Sequence, residues 1–286
     1  MSKPLGVAHL SALDLAPPDL VRHAADAGFA SVGVRVFPAT PGEQRYPMTP
    51  GSPMSRQTLR AMAETGVTVL DVEAFTLDGA RGREQWLPAL EAGAALGATV
   101  LNVIGGDADQ HRLRESLAEL VADGRDHGIQ PSLEPIAYQS INTVAAACAL
   151  SRETGCGIML DVLHFVRAGG RVEDLQDVPA DALRVIQLCD GPETPPPLPV
   201  PERMPLGQTV SADRLPLESR SRRQSPGEGS FPLRTILETF PATPVSIEVP
   251  DVAGCAEFGH AQHFEQLHRA YVSRFDHNDS AMKGIS

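Results

Sequence analysis

Cysteine is scarce in this sequence and poorly spaced for disulfide or zinc chemistry. The four cysteines (Cys148, Cys156, Cys189 and Cys255) include no CxxC pair, which suits reduced, buried thiols better than a disulfide framework. No apolar run approaches the ~18 residues of a membrane span. The first ten residues carry one lysine with no long apolar stretch after it, so a secretory leader is not expected either, and a cytoplasmic location is the default. Basic residues are outnumbered, 24 Lys and Arg against 36 Asp and Glu, for a net charge of −12. Such a surface repels phosphate backbones, because nucleic-acid affinity comes largely from basic residues displacing counterions. There is no GxxxxGK[ST] motif, and the first strand candidate runs into Ser11-Ala12-Leu13-Asp14 instead of a glycine-rich turn. Both absences disfavour nucleotide-cradling folds.

What remains is a 286-residue chain, 42% hydrophobic and 21% charged, able to bury a large core and too apolar to stay disordered. Eight short β-rich runs read as strands, over residues 5–10, 30–37, 68–76, 99–106, 130–136, 157–165, 184–191 and 244–251. Between them, 3.6-residue apolar spacing predicts helices over 17–28, 55–66, 83–97, 108–128, 141–155, 231–240 and 256–275, several of which close on glycine. This alternation predicts an α/β chain forming a single (β/α)8 TIM barrel, with residues 1–286 as one domain. Residues 192–230 break the rhythm. They hold nine prolines and follow strand seven, so they read as a long Pro-rich loop inserted at the catalytic face, a lid or substrate-closing arm in preference to a spacer.

Alternation along barrel strands sends one parity of side chains to the axis and the other to the helices. In the last four strands the aliphatic parity is Leu133; Ile158, Leu160 and Val162; Ile186 and Leu188; and Val245, Ile247 and Val249. The other parity then aims Glu134, Asp161, Gln187 and Glu248 at the axis, near the carboxyl ends of the strands, where barrel active sites lie. Three converging carboxylates repel one another unless a cation holds them. A divalent metal is the simplest answer, and an all-oxygen shell suits Mn²⁺ or Mg²⁺ best, with Co²⁺ and Zn²⁺ as further candidates.

The ordered set Ser132-Leu133-Glu134-Pro135, Leu160-Asp161-Val162-Leu163-His164, Gln187-Leu188-Cys189-Asp190 and Ser246-Ile247-Glu248-Val249 resembles the xylose-isomerase-like TIM barrel superfamily of sugar phosphate isomerases and epimerases. The resemblance covers nearly the whole chain. It implies that Glu134, Asp161, Gln187 and Glu248 are the metal ligands, with the two glutamates doubling as acid and base. Many sugar epimerases of the family carry His where this chain has Gln187. Gln at that place, then Asp190 and an Arg-rich stretch entering Pro226-Gly227-Glu228-Gly229, is similar to the bacterial 3-dehydroshikimate dehydratases of the same superfamily.

The expected activity is therefore a metal-dependent isomerase or epimerase of a small polyhydroxylated keto substrate, working by proton transfer through a metal-stabilised enediolate. A dehydratase of the dehydroshikimate type is the alternative, since loss of a β-hydroxyl diverts the same intermediate. His164 is placed to bond a substrate oxygen or shuttle a proton. Arg223, with Arg220 and Arg222 as rivals, is expected to meet a carboxylate or phosphate on the substrate. Glu73 reads as a substrate-hydroxyl contact or an ion-pair partner of Arg35, both on inward parities, and Tyr138 lies close enough to line the mouth. Asp190 reads as a support behind the ligands. Asn102 stays ambiguous, because neither parity of strand four is clearly the aliphatic one. His260 and His263, at i and i+3 on the last helix, read as a packed or solvated face.

Rival functions fit less well. An apurinic endonuclease needs a more histidine-rich site and a basic groove. A glycosidase would use Glu134 and Glu248 but not the two residues between them. A binding barrel leaves four converging ligands unexplained. The expected partner is a small molecule, with no nucleic acid and no membrane, and association into a homo-oligomer stays open.

Overall fold

Among the described residues every strand lies parallel to its neighbours, and the eight close into a ring. The computed structural model describes residues 4–40 and 42–275; the expected single domain of residues 1–286 extends at both ends outside the described residues. The strands are β1 (Leu5–Val7), β2 (Ser31–Arg35), β3 (Thr68–Leu77), β4 (Val100–Gly105), β5 (Gln130–Glu134), β6 (Gly157–Asp161), β7 (Leu183–Leu188) and β8 (Val245–Ile247), in sequential order around the barrel. Closure comes from β1 pairing with β8, Leu5 opposite Val245 and Val7 opposite Ile247. The surrounding helices are α1 (Pro17–Ala27), α2 (Pro53–Thr65), α3 (Arg83–Ala95), α4 (Gln110–Asp126), α5 (Val144–Thr154), α6 (Val162–Arg167), α7 (Arg214–Ser221), α8 (Leu233–Thr239), α9 (Val252–Phe258) and α10 (His260–Phe275). The fold is the expected (β/α)8 TIM barrel. Among the described residues no helix is long and apolar enough to cross a membrane, and all four cysteines are unpaired.

The two parities of the strands do different work. Leu133, Ile158, Leu160, Ile186, Leu188, Val245 and Ile247 pack outward into one core with helix residues such as Leu20, Leu117, Leu120 and Phe264. Each fully buried side chain of this kind contributes about 1.5–3 kcal/mol. Inside the ring, Val100, Met159 and Val185 form an apolar floor. Ala74, Ile104 and Ile136 form a second apolar patch against Tyr138. The inward parity of β4 is thus Val100, Asn102 and Ile104. The sequence left this open because Leu101 and Val103, on the other side, are equally aliphatic.

Several boundaries differ from the sequence reading. The sixth run was expected to stay extended to Phe165, but β6 ends at Asp161 and Val162–Arg167 is helical. Asp161 caps this helix, its side chain accepting from the backbone N–H of His164, and a short apolar run does not by itself separate strand from buried helix. β8 ends at Ile247, yet Glu248 N–H still donates to the carbonyl of Leu188 at 3.0 Å, so the ladder orients this residue. The expected last helix is two, α9 and α10, parted at Gly259 with φ +81°. The expected 192–230 loop contains the helix α7, whose Leu217, Glu218, Ser219 and Ser221 are buried.

Candidate active site at the carboxyl ends of the strands

Glu134 closes β5, Asp161 closes β6, Gln187 lies in β7 and Glu248 follows β8, all of them buried. Two amides steady the two glutamates: Asn102 Nδ2 donates to Glu134 Oε2 and Gln187 Nε2 to Glu248 Oε1, each at 2.7 Å. Arg223, buried to 5% exposure, enters from the segment after α7. Its Nη1 donates to Asp161 Oδ2 at 2.7 Å, and its Nη2 stands 3.0 Å from Glu248 Oε2. His164 Nε2 lies 3.9 Å from Glu134 Oε1 and 3.3 Å from Ser219 Oγ, and Tyr138 Oη donates to the same Ser219 Oγ at 3.1 Å. The Tyr138 and His164 rings meet edge to face, with centroids 5.4 Å apart.

Charge in this volume is unevenly distributed. Burial, aided by the charge of Asp161, pushes the Glu134 carboxyl up to about 8. Burial raises Glu248 well above the carboxylate range, with Arg223 opposing. Burial also resists ionisation of Asp161, but the Arg223 guanidinium outweighs it and holds that carboxyl down at about 2. His164 is driven down to about 4, mainly by burial, and stays neutral. Asp71 and Glu73, both on β3, are also raised by burial. The site therefore holds more buried acid than its arginines neutralise.

The remaining expected residues are placed as follows. Arg35 Nη1 donates to Glu43 at 2.8 Å and its Nη2 lies 3.8 Å from Glu73. Glu73 accepts the backbone N–H groups of His9 and Leu10 at 2.7 and 3.3 Å, so it ties the end of β1 to the site while lining the same pocket as Arg35, Tyr138, His164, Arg223 and Glu248. Asp190 Oδ1 accepts from Gly191 and Phe231 at 2.9 and 3.0 Å, and Oδ2 from Gly227 at 2.9 Å. It fastens the turn that follows Arg223. Gly229 permits this approach, since a Cβ there would lie 2.3 Å from Asp190 Oδ1. His260 pairs with Asp14 at 3.2 Å and His263 bonds the Val249 carbonyl at 2.8 Å, both in packing roles. Arg220 lines the pocket, whereas Arg222 reaches toward Asp251.

Sequence reasoning missed Glu43, Gln208 and Ser219. Glu43 and Gln208 come from segments with no strand or helix period, so no parity argument reaches them, and Ser219 lies on α7, a helix inside the expected loop. It also left Asn102 undecided, and the asparagine proves to be a direct partner of Glu134.

A divalent ion fits these residues. Ligand atoms of Glu134, Asp161 and His164 lie within 4.8 Å of one another. The amide oxygens of Gln187 and Asn102 are buried without hydrogen-bond partners among the described residues, an unmet acceptor capacity that a cation or a substrate donor would satisfy. The donors are hard oxygens with one imidazole, a set compatible with Mn²⁺, Mg²⁺, Co²⁺ or Zn²⁺. The expected set of four is distributed differently here: Glu248 pairs with Arg223, Gln187 turns its nitrogen to Glu248, and His164 stands nearer Glu134 and Asp161.

Solved structures share the architecture. The IolI protein with a bound zinc atom superposes with a TM-score of 0.67 at 15% identity, over 94% of this chain and 97% of that one. The 3-keto-D-glucoside 4-epimerase YcjR from E. coli gives 0.62 at 17% identity, over 93% and 98%. A probable 3-DHS dehydratase, AsbF, from Bacillus anthracis gives 0.68 at 13% identity, over 94% and 99%. At such identities the likeness is one of fold. No curated protein matches the chain at a significant level. The family model for the xylose isomerase-like TIM barrel matches residues 21–269, so that with the closed barrel and its strand-end acids the chain belongs to this family.

Proposed function

We propose that the protein is a divalent-metal-dependent isomerase or epimerase acting in the cytoplasm on a small polyhydroxylated keto substrate. The observation that carries this reading is the convergence of two buried glutamates, Glu134 and Glu248, around Asp161 at the mouth of the barrel. Glu134, Asp161, Gln187 and Glu248 would hold the ion, with His164 Nε2 close to the first two. The ion, Mn²⁺ or Mg²⁺ by choice of donors, supplies positive charge that acidifies a C–H bond beside a carbonyl. One glutamate takes that proton, and the other returns a proton to the opposite face or the neighbouring carbon. Asn102 and Gln187 hold the two carboxyl groups in register. Neutral His164 offers a hydrogen bond to a substrate oxygen, and Arg223, Arg35, Glu73 and Tyr138 surround the space the substrate fills. Residues 192–230 act as a lid on the single barrel domain, and Asp190 positions Arg223 by holding the turn behind it.

Dehydration is the second reading, favoured by the bonding of Asp190 to the Pro226–Gly229 turn, the segment similar to dehydroshikimate dehydratases. The same proton removal would be followed by departure of a β-hydroxyl as water. The deciding experiment is metal analysis of the purified protein, then incubation of its Mn²⁺ form with 3-dehydroshikimate and a panel of ketoses in D₂O. Deuterium uptake or a new ketose without ultraviolet change supports isomerisation. Water loss from dehydroshikimate supports dehydration. Absence of metal binding overturns both.

A further inference from the structure

The proline-rich segment brings one buried amide to the site. Gln208 follows the short helical turn Pro205–Gly207 and is only 7% exposed. The turn is held in an uncommon shape. Leu206 has φ +51° and, among the described residues, no other non-glycine residue has a positive φ. Its carbonyl accepts from the Gln44 N–H at 2.8 Å. Strain of this kind persists where the surroundings over-determine it, commonly next to ligands.

The orientation of the Gln208 amide follows from its partner. Glu43 receives only donors: Arg35 Nη1 at 2.8 Å, the N–H groups of Ala39 and Thr40 at 3.2 Å, Thr40 Oγ1 at 3.2 Å, and Gln208 Nε2 at 3.3 Å. A carboxylate accepts and an amide oxygen cannot donate, so the nitrogen of Gln208 faces Glu43 and the oxygen faces away. That oxygen is buried and has no partner among the described residues. An unpaired buried acceptor is unfavourable unless something with a donor arrives.

Its location says what arrives. Leu10, Gln208 and Arg220 line both the inner pocket over Glu134 and an outer chamber. The inner pocket measures about 40 Å³ and the chamber about 820 Å³. The former takes a few water molecules and not a whole sugar, since about 10–15 Å³ of such space holds one water. A sugar-sized molecule that reaches Glu134 from the chamber therefore passes Gln208.

We infer that Gln208 is a specificity residue whose side-chain oxygen accepts a hydrogen bond from a substrate hydroxyl at the border between inner pocket and outer chamber. This rests on the proposed reading to the extent that the substrate is hydroxylated. The test compares binding of D-fructose, D-tagatose and 3-dehydroshikimate, each with its monodeoxy analogues, by saturation-transfer NMR on the Mg²⁺ form. Wild type and Gln208→Met are measured side by side, with Gln208→Ala in reserve should the first variant fail to melt like wild type. The expected result is that one hydroxyl loses its worth. The variant binds the full probe about tenfold more weakly, the usual size of one such bond, and binds one deoxy analogue as wild type does. An equal loss for every probe would assign Gln208 to lid packing alone, and no loss would make it idle; either overturns the inference while leaving the proposed function standing. If no probe binds wild type, the inference falls together with the reading beneath it.

Discussion

Arg167 and Glu218 face each other in a two-pronged ion pair, Nε to Oε2 at 2.8 Å and Nη2 to Oε1 at 2.6 Å, with both side chains almost wholly buried. Arg167 also donates to the carbonyls of Pro192 and Glu193 and lies 5.1 Å over the Phe231 ring. A single side chain from the helix of His164 thus grips the start and the middle of the proline-rich segment and the residue just after it. Removing one partner leaves the other charge buried and alone, which costs about 3–5 kcal/mol. Arg167→Met is expected to lower the urea midpoint accordingly and expose residues 192–221 to limited proteolysis. The double variant Arg167→Met, Glu218→Leu should recover part of the loss. Unchanged proteolysis in the single variant would refute the grip.

The chain has a single tryptophan, and it reports on a second polar contact. Trp86 Nε1 donates to Asp123 Oδ2 at 2.8 Å, while Arg83 chelates the same carboxylate. Arg83 holds the Asp123 carboxyl below its usual range, with burial opposing and Trp86 assisting. A depressed carboxyl stabilises the fold above its unfolded value near 4, and that contribution fades as pH falls through the folded value. Trp86 emission is accordingly expected to hold steady from neutrality down to about pH 5 and to change only in more acid solution. Asp123→Asn should flatten that acid change and lower the urea midpoint at neutral pH. A midpoint equal to wild type would show that the carboxylate does not support the fold.

Gly229 makes a sharper steric case. A Cβ there would lie 2.3 Å from both Asp190 Oδ1 and the Gly191 carbonyl oxygen, and backbone cannot retreat cheaply. Gly229→Ala is expected to cost about 1–3 kcal/mol, as overpacking does, and to displace the turn that follows Arg223. The check is a paired measurement, the urea midpoint and the Kd for Mg²⁺, since the ligands themselves are untouched. A midpoint equal to wild type would mean that the turn relaxes without strain.

These contacts show how far the sequence could be read. The barrel was legible because eight strand runs come with seven helical periods among them and helices such as α2 and α5 end on left-handed glycines, Gly66 and Gly155. The acids of β5, β6 and β8 were legible because polar and aliphatic parities contrast there. β4 offers no such contrast, so Asn102 could not be assigned although it touches Glu134. α6 was concealed in an apolar run that also suits a strand. Glu43 and Gln208 come from irregular chain and Ser219 from α7 within the expected loop, where only three-dimensional packing brings side chains to the site.

The two glutamates and His164 should separate by function. Glu134→Gln and Glu248→Gln remove a proton carrier while keeping shape, and each is expected to lower deuterium exchange into a ketose by at least about 10²–10⁴-fold, the usual worth of a general acid or base. Both should also weaken Mn²⁺ binding, because each replaces a charged donor by a neutral one. His164 is buried, neutral and bonded through Ser219 to Tyr138, a setting for orienting a substrate oxygen. His164→Ala is therefore expected to lower turnover about 10–100-fold while titration still finds the Mn²⁺ affinity of wild type. Loss of Mn²⁺ from that variant would transfer His164 to the ligand set with Glu134 and Asp161, as the 4.8 Å grouping of their atoms allows. Full exchange activity in either glutamine variant would remove that glutamate from proton transfer.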